Sequence, residues 1–322
     1  MIKSLSHRRA WLHIAFALAA TLTLAAPVFA STATLAGKAY GMKVSHPNLP
    51  HRGTVWAGTV YVTIDGGAEK YQVYCVDLHT NWCNGKEHYQ GSDVSRFEIV
   101  WILNHYYPKT DEPSSLSTAE EKAAAVQLAL WHFSDGLDIS SGGTPSEVFD
   151  AARAIITAAK TASVPKTPTQ LDLELTEGPG QGERTATATL KDQNGHPLPG
   201  ATVHFEITVQ SNPPTQITQD VVTDANGVAT VTYNTLGGQD TALARVEYTI
   251  PIGLRWLRDG CQGLVMGQEA HGVVQADDSI GSPTAVTLSS LSARYGSHRP
   301  WQVPAVLLIS AIIVGGVITR RV

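Results

Sequence analysis

Apolar and polar residues alternate along two stretches in the first third of the chain, Thr59–Ile64 and Glu69–Asp77. Such alternation is typical of a β-strand with one buried face. The two stretches flank Asp-Gly-Gly at positions 65–67, a combination that favours a tight turn. The sequence therefore predicts a β-hairpin whose second strand ends in Tyr-Cys-Val-Asp, with Cys75 near its end.

Three helices are predicted after this hairpin from their start and stop signals. The first covers about Ser95–Tyr106 and ends before Pro108. The second begins at the capping box Ser117–Glu120 and continues to about Ser134. The third begins at the capping box Thr144–Glu147, which has proline in its first helical position, and runs to about Ala162. Residues 31–164 are therefore predicted to form an α/β head.

The pattern changes at Val164–Pro168, beyond which the chain reads as strands with turn signals every 8–12 residues, including Asn-Gly at 194–195 and 226–227. This spacing predicts a β-sandwich over residues 165–276 that folds independently of the head. The strands are expected at Leu171–Thr176, Thr185–Lys191, Thr202–Thr208, Asp220–Thr223, Val228–Tyr233 and Ala242–Tyr248. Gly253–Ala276 follows no clear strand pattern, and no fold is predicted for it.

Both ends of the chain carry apolar segments typical of membrane targeting. Residues 1–30 combine basic residues, an apolar run and a small-x-small motif ending at Ala30, which predicts a signal peptide; an uncleaved anchor is the alternative. Residues 277–300 are rich in Ser and Gly and predict a linker. Residues 301–322 contain the apolar run Val303–Ile318 and then Arg320 and Arg321, which predicts one transmembrane helix with the basic tail inside and the body outside the cell.

Charge and cysteine content narrow the possible functions. The net charge of −5 and the charged content of 16% argue against nucleic-acid binding, which requires a basic surface. Cys83, His79 and His88 match no zinc pattern, so we expect no metal and no cofactor. Three cysteines in an extracellular protein leave one unpaired. Cys83 and Cys261 would pair or stay reduced if Cys75 is used elsewhere, and a Cys75–Cys83 disulfide is the competing arrangement.

Cys75 and Gln127 are the two residues that the patterning does not explain. Gln127 falls within the apolar face of the second helix, where an unpaired amide costs about 1–3 kcal/mol. Cys75 shares a strand face with Tyr71 and Val73. Taken singly, a buried cysteine behaves as a small apolar residue and a buried glutamine hydrogen-bonds a nearby backbone. The residue pattern alone leaves these structural explanations open.

Three motifs occur in order in the first half of the chain. A strand ends in YCVD at Tyr74–Asp77, a helix reads WILNHYYP at Trp101–Pro108, and a second helix reads VQLALW at Val126–Trp131. Through these motifs this half resembles the thioester domains of surface adhesins from Gram-positive bacteria, in which the last motif is T-Q-x-A-I-W. Val126 stands where the family usually has threonine. The resemblance implies a β-barrel or sandwich with a helical lobe.

The resemblance also implies a chemistry for Cys75 and Gln127. The thiol would attack the side-chain amide and release ammonia, giving an internal thioester that a lysine of a partner surface would open to form a covalent amide. Such a protein is a single-use covalent anchor, not a turnover enzyme. Apolar walls are needed, and an assisting base is expected near the motifs. The candidate walls are Tyr71, Tyr74, Trp101 and Trp131, and the candidate bases are His79, His105 and His132. Asp77 is assigned a strand-end hydrogen bond.

The second half resembles the invasin/intimin type of bacterial Ig-like domain. The residues that carry this resemblance are TATATLKDQNGHPLPGATVHFEI at 185–207 and TDANGVATVTY at 223–233. It implies a rigid spacer over roughly Pro168–Tyr248. The expected fold is therefore mostly β: a thioester-type head, an Ig-like sandwich and one C-terminal transmembrane helix.

Three functions compete at this point. The first is a covalent surface adhesin that uses Cys75 and Gln127. The second is a surface protein whose head binds without a covalent bond, carried on an Ig-like stalk. The third is a hydrolase that uses Cys75 with a histidine, against which the strand-end position of the cysteine argues because it lacks a helix N-terminus to lower the thiol pKa.

Overall fold

The structure is a computed structural model that describes residues 31–178, 180–211, 213–235 and 238–281. The predicted signal peptide, the predicted transmembrane segment 301–322 and all but the first residues of the predicted linker lie outside this range. None of the helices in the described ranges combines the length and the apolar character that crossing a membrane requires.

The head is built around a β-barrel. Its strands are β1 (Thr32–Ser45), β2 (Thr54–Ile64), β3 (Tyr71–Val76), β4 (Glu87–Gln90), β10 (Asp240–Leu257) and β11 (Gly263–Ile280). In the described part of the chain they follow the order β11-β3-β2-β1-β4-β10, and the pairing of β10 with β11 closes the ring. The predicted hairpin is confirmed as β2–β3. The barrel interior is lined by Ala33, Leu35, Val60, Val62, Ile64, Val73, Cys75, Leu254, Trp256 and Leu264.

Three helices form a lobe against the barrel, as the sequence predicts. They are α1 (Phe97–His105), α2 (Ala119–Asp135) and α3 (Ser146–Thr161). Helix α2 is buried along most of its length because β1, β2 and β3 cover one side and α3 covers another. The apolar alanines and leucines of α2 are therefore the centre of this lobe.

Two helix starts differ from prediction. The N-cap of α2 is Thr118, one residue later than predicted: its hydroxyl accepts from the backbone N–H of Glu121 (3.2 Å), whose carboxylate accepts from the N–H of Thr118 (3.1 Å). The capping box predicted at Thr144 does not form. The backbone of Thr144 instead exchanges two 2.9 Å hydrogen bonds with Ser45, so Thr144 stays extended and α3 begins after Pro145.

The second region is the predicted sandwich. Strands β5 (Pro168–Glu177), β6 (Glu183–Asp192) and β9 (Val228–Asn234) form one sheet. Strands β7 (Thr202–Val209) and β8 (Thr215–Val222) pair with the open end of the β10–β11 hairpin to form the other. Apolar residues of both sheets meet in one core. All six predicted strands of this region are found.

The β10–β11 hairpin joins the two regions. Its pairing runs without a break from Asp240–Ile280 to Trp256–Leu264. Its open end contributes Ala244 and Val274 to the sandwich core, whereas its tip contributes Trp256 and Leu264 to the barrel.

Two sequence assignments change as a result. Residues 253–267, placed by the sequence in the 165–276 sandwich, belong to the barrel, and Asp277–Ile280, placed in the linker, are paired residues of β11. The independent folding of the two sides of Val164–Pro168 stays a prediction, although the β10–β11 hairpin contributes strands to both regions.

Candidate functional site

Cys75 lies at the end of a central strand of the barrel. Strand β3 is flanked by β2 and by β11, where Leu264 is the partner of Cys75. The chain then turns at Asp77, whose φ of 68° is left-handed and whose carboxylate accepts a hydrogen bond from the N–H of Gly263 (3.2 Å). The thiol is buried, and this burial raises the pKa of Cys75 to about 12.

Gln127 meets Cys75 from the opposite side. Its side chain is 1% exposed on the face of α2 that packs on the barrel. The amide nitrogen donates to the carbonyl oxygen of Cys75 (2.7 Å), and the amide oxygen accepts from the Cys75 N–H (3.3 Å). The structure therefore brings the two predicted site residues together, and the backbone of one holds the amide of the other.

Val126, which replaces the usual threonine of the motif, is fully buried among the apolar residues of the helical lobe. The amide of Gln127 has its two hydrogen bonds from Cys75 without any help from a hydroxyl at position 126. The motif departure therefore leaves the amide fixed in place.

A cavity of about 340 Å³ lies over this pair and opens to solvent. Cys75, Gln127 and Trp131 line its buried end, because Trp131 is one turn beyond Gln127 on α2. Around the rest of the cavity are Lys38, His51, Thr54, Val55, Trp56, Gly58, Val60, Leu78, Thr80, Asn81, Trp82 and Gln262. The cavity is large enough to admit an extended side chain down to the thiol.

The predicted walls are only partly correct. Trp131 lines the cavity, and its indole N–H is buried without a hydrogen-bond partner in the described structure. Tyr71 and Tyr74 line a different cavity, beside Pro108, and the Tyr74 hydroxyl donates to the carbonyl oxygen of Tyr107 (2.6 Å). Trp101 stacks on His105 with 4.5 Å between ring centroids. The last three residues therefore serve packing and are wrong as walls of this site.

None of the three predicted base histidines lines the cavity. His79 is exposed, while ring nitrogens of His105 and His132 lie 2.8 Å from the backbone oxygens of Trp101 and Leu137. His51, which the sequence analysis did not select, lies at the cavity mouth on the left-handed turn Pro50–Gly53. His51 lies far from the three motifs in the sequence, so the sequence gave no indication that it would lie beside the cavity.

Trp56, Gly58 and Val60 are further lining residues that the sequence analysis missed. They alternate along β2, and the register of the hairpin places Val60 opposite Val73, two residues before the cysteine. The register of the predicted hairpin could have identified these residues, because it places Trp56, Gly58 and Val60 on the face of β2 that lies toward Cys75. Gly58 is required here: its φ is +151°, and a Cβ would lie 2.2 Å from the carbonyl oxygen of Tyr40.

A disulfide between Cys83 and Cys261 lies next to the cavity, since the adjacent residues Trp82 and Gln262 are part of its lining. It joins the loop after β3 to the tip of the β10–β11 hairpin, and the N–H of Gln262 donates to the carbonyl oxygen of Asn81 (2.9 Å) beside it. Cys75 is thereby left as a free thiol, and the alternative Cys75–Cys83 pairing is wrong. Within the described residues, no group of three His, Cys, Asp or Glu side chains is arranged to hold a metal.

Comparisons with known families and structures agree with this arrangement. The family model described as "Thioester domain" matches residues 72–161, which contain both Cys75 and Gln127. The model described as "Bacterial Ig-like domain (group 1)" matches residues 177–249. No curated protein matches the chain.

Two solved structures share features of the fold. The Bacillus anthracis TIE protein aligns with 13% identity and a TM-score of 0.51 over 78% of this chain, which spans about half (48%) of that one. The thioester domain of the Enterococcus faecium TIE86 protein aligns with 14% identity and a TM-score of 0.49 over 79% of this chain and 97% of that one. At such identity, the first of these likenesses supports the fold.

The family also fits a surface protein of the adhesin type better than a turnover enzyme. The thioester-domain match covers the helical lobe and the segment from strand β3 onward, and the Ig-like match covers most of the sandwich. The chain therefore contains a thioester domain, matched over residues 72–161, followed by a bacterial Ig-like domain of group 1, matched over residues 177–249.

Proposed function

We propose that the protein is a cell-surface adhesin in which Cys75 and Gln127 form an internal thioester that captures an amine of a target surface. The observation that carries this proposal is the fixed amide: both polar atoms of the Gln127 side chain are bonded to the backbone of the residue that bears the thiol. The pair also lies at the buried end of a cavity that opens to solvent.

The hydrogen bonds suit each part of the amide for thioester formation. The Cys75 N–H polarises the carbonyl and would stabilise the negative charge that develops on its oxygen, as an oxyanion-hole donor does. The Cys75 carbonyl oxygen orients the nitrogen that must leave. In the reaction, the bond between Sγ and Cδ forms, the bond between Cδ and Nε2 breaks, and the thiol proton leaves with the nitrogen as ammonia.

The buried environment determines how the proton moves and how long the product lasts. Because burial raises the pKa of Cys75 to about 12, little free thiolate exists at neutral pH, and the thiol proton is transferred as the sulfur attacks. Leu78, Val60 and Trp131 cover the reacting atoms with apolar surface. Restricted water access slows hydrolysis of the thioester before a target arrives.

Capture of a target consumes the thioester once. A neutral lysine amine entering the cavity would form a bond to Cδ of Gln127, the bond from Cδ to sulfur would break, and the proton lost by the amine would return to the sulfur. The product is an amide that joins the two proteins, together with a free Cys75. No step regenerates the thioester, so the protein acts as an anchor.

The remaining regions fit a surface location within this proposal. The predicted signal peptide would export the chain, and the segment 301–322 would hold it in the cytoplasmic membrane with the head outside. The Ig-like sandwich would act as a spacer whose attachment is stiffened by the continuous β10–β11 hairpin. Protease added to intact cells should remove the head; recovery of the head only from lysed cells would contradict this location.

Intact mass of the full chain tests the covalent proposal. We expect a mass lower than that of the processed sequence by one ammonia after allowing for the disulfide, and methylamine should add its own mass to the deficient species. Cys75→Ala and Gln127→Ala should each abolish both effects. Gln262→Ala is the matched control, because it removes an amide from the same cavity that does not bond Cys75. A wild-type chain without the deficit, unchanged by methylamine, would leave non-covalent binding as the function of the head.

A further inference from the structure

The polar groups around the cavity would bind a ligand that carries a negative charge or a hydrogen-bond acceptor close to its amine. Lys38 and His51 are the titratable side chains at the mouth, and none of the described residues that line the cavity is Asp or Glu. Inside, the Trp131 indole N–H has no acceptor, which is costly for a buried donor. A protonated lysine side chain by itself supplies neither an acceptor nor a negative charge.

The backbone places Lys38 specifically at this mouth. The pairing of β1 with β2 shifts register on both sides of Lys38, between Leu35 and Lys38 and again between Lys38 and Gly41. Such bulges redirect side chains and are frequent beside functional sites. Lys38 pairs with Val60, which itself lines the cavity, so the irregular segment of β1 runs along its rim.

Two tryptophans hold the ammonium group of Lys38 in place. Its nitrogen lies 4.6 Å from the ring centroid of Trp56 and 6.0 Å from that of Trp82, and both rings line the cavity. Cation–π contacts of this kind orient a charge without neutralising it. No carboxylate in the described structure forms an ion pair with Lys38, so its charge is available to a ligand.

We propose that the cavity selects target lysines that have a carboxylate close by, such as a neighbouring aspartate or glutamate, and that Lys38 is the residue that pairs with this carboxylate. This inference rests on the proposed covalent capture and names the class of target. The carboxylate compensates for the repulsion between the fixed charge of Lys38 and the incoming ammonium.

The apolar lining of the cavity favours the chemistry. An amine attacks only in its neutral form, and apolar walls lower the pKa of a lysine that enters between them. A target that carries its own carboxylate docks through that group on Lys38, so its amine can enter the apolar part of the cavity and lose its proton there. A target lysine flanked by other basic residues would be repelled by Lys38 and would lack this ion pair.

Competition between two peptides tests this preference on the full chain purified in detergent. One peptide has a single lysine between two aspartates, the other has the lysine between two asparagines, and both have blocked ends. We expect the acidic peptide to form its covalent adduct about threefold to fivefold faster at low salt, the size expected of one exposed ion pair. The difference should disappear at about 1 M salt, where charges are screened.

Charge reversal at Lys38 supplies the decisive variant. Lys38→Glu should remove or invert the preference, whereas Lys43→Glu, which changes an exposed lysine of the same strand outside the cavity, should keep it. Methylamine carries no carboxylate and should label Lys43→Glu at the wild-type rate, which shows that the thioester of this control is intact. For Lys38→Glu the measure is the ratio of the two peptide rates within that variant, so a change in its overall rate does not affect the result. Equal labelling of the two peptides by the wild type, or an unchanged preference in Lys38→Glu, would overturn the inference.

The role of Lys38 can be tested even if no thioester forms. Absence of any methylamine adduct in the wild type would contradict the proposed function, independently of peptide preference. The same peptides are therefore also titrated into Cys75→Ala, with peptide NMR line broadening as the measure of binding. Tighter binding of the acidic peptide that is lost in Cys75→Ala/Lys38→Glu would support the role of Lys38, and equal binding would refute it.

Discussion

The Ig-like sandwich and the cavity of the barrel head contain different kinds of buried polar groups. In the sandwich, the guanidinium of Arg184 and the carboxylate of Asp240 lie 2.7 Å apart, and the second oxygen of Asp240 accepts from the backbone N–H of Gln210 (3.0 Å). In the head, the buried groups at the site are a neutral thiol and a neutral amide beside a cavity. The sandwich uses its buried polar groups to join strands, whereas the head places its own beside a cavity.

Desolvation explains the difference. Two buried charges are stable only when they are paired and hydrogen-bonded, so Arg184 and Asp240 have no capacity left for a ligand. A thiol and an amide cost far less to bury, and Cys75 and Gln127 can therefore remain next to an opening. The β10–β11 hairpin is paired without interruption and contributes strands to both regions, so it supports the buried ion pair of the sandwich and the Cys75–Gln127 pair of the head.

Removal of the hairpin should have the largest effect. A fragment of residues 31–178 lacks β10 and β11, so the barrel loses two neighbouring strands and Cys75 loses the partner Leu264. We expect no folded head and no ammonia deficit, measured by circular dichroism and intact mass, with the full chain as control. A folded fragment that carries the deficit would show that the barrel does not depend on the hairpin.

Loss of the buried ion pair should weaken the sandwich while leaving the site chemistry intact. Asp240→Ala leaves the buried charge of Arg184 with only the exposed carboxylate of Glu177 and the carbonyl oxygen of Gly238 as partners, so the free energy of unfolding in urea should fall by about 3 kcal/mol. The ammonia deficit at Cys75 should remain in the folded fraction. Asp172→Ala, at an exposed carboxylate of the same region, should change the free energy by less than about 1 kcal/mol. Equal effects from both substitutions would contradict the structural role of Asp240.

The disulfide should matter to both stability and shielding of the head. Cys83→Ser combined with Cys261→Ser removes a link between residues 178 positions apart, with an expected loss of about 2–4 kcal/mol in the free energy of unfolding. The side of the cavity formed by Asn81 and Gln262 should also loosen, which speeds hydrolysis of the thioester in time-resolved intact mass. Reductant should reproduce both effects in the wild type and change nothing further in the double variant.

Alkaline pH should destabilise the head when Cys75 is a free thiol, as in Gln127→Ala. The pKa of Cys75 rises from 9.0 to about 12 on folding, so between these values the folded chain holds a proton that the unfolded chain has lost. This contribution is complete below pH 9 and decreases by about 1.4 kcal/mol per pH unit above it. Urea unfolding from pH 8 to pH 10.5 measures it. The variant Cys75→Ala/Gln127→Ala should lack the decrease that Cys75 causes. The same pH dependence of the free energy of unfolding in both variants would contradict the prediction.

The helix cap should give the smallest effect. Thr118→Ala removes the hydroxyl that accepts from Glu121 and should lower the free energy of unfolding by about 1 kcal/mol. Ser117→Ala changes the residue that precedes the cap and should lower the free energy of unfolding by only about 0.3 kcal/mol. A larger effect at Ser117 would place the start of α2 where the sequence pattern put it.

Local patterns in the sequence were sufficient for most elements, and together with the family resemblance they selected the candidate pair Cys75 and Gln127. Alternation and turn residues placed the β2–β3 hairpin and the six sandwich strands, because strand periodicity and tight turns depend on neighbouring residues. Cys75 and Gln127 were found because each is unusual in its own element and both stand in recognisable motifs. These signals act within a few residues of one another and survive without knowledge of the fold.

The surroundings of the pair were decided only by tertiary structure. Lys38, Trp56 and Gln262 come from three separate segments, namely β1, β2 and the tip of the β10–β11 hairpin, and strand pairing in the barrel brings them to one cavity. Thr144 lost its predicted capping role to a backbone pairing with Ser45, 99 positions earlier in the numbering, for the same reason. Local patterning determines which side chains are buried and which residues turn the chain, whereas contacts between distant strands depend on pairing energies that no single segment carries.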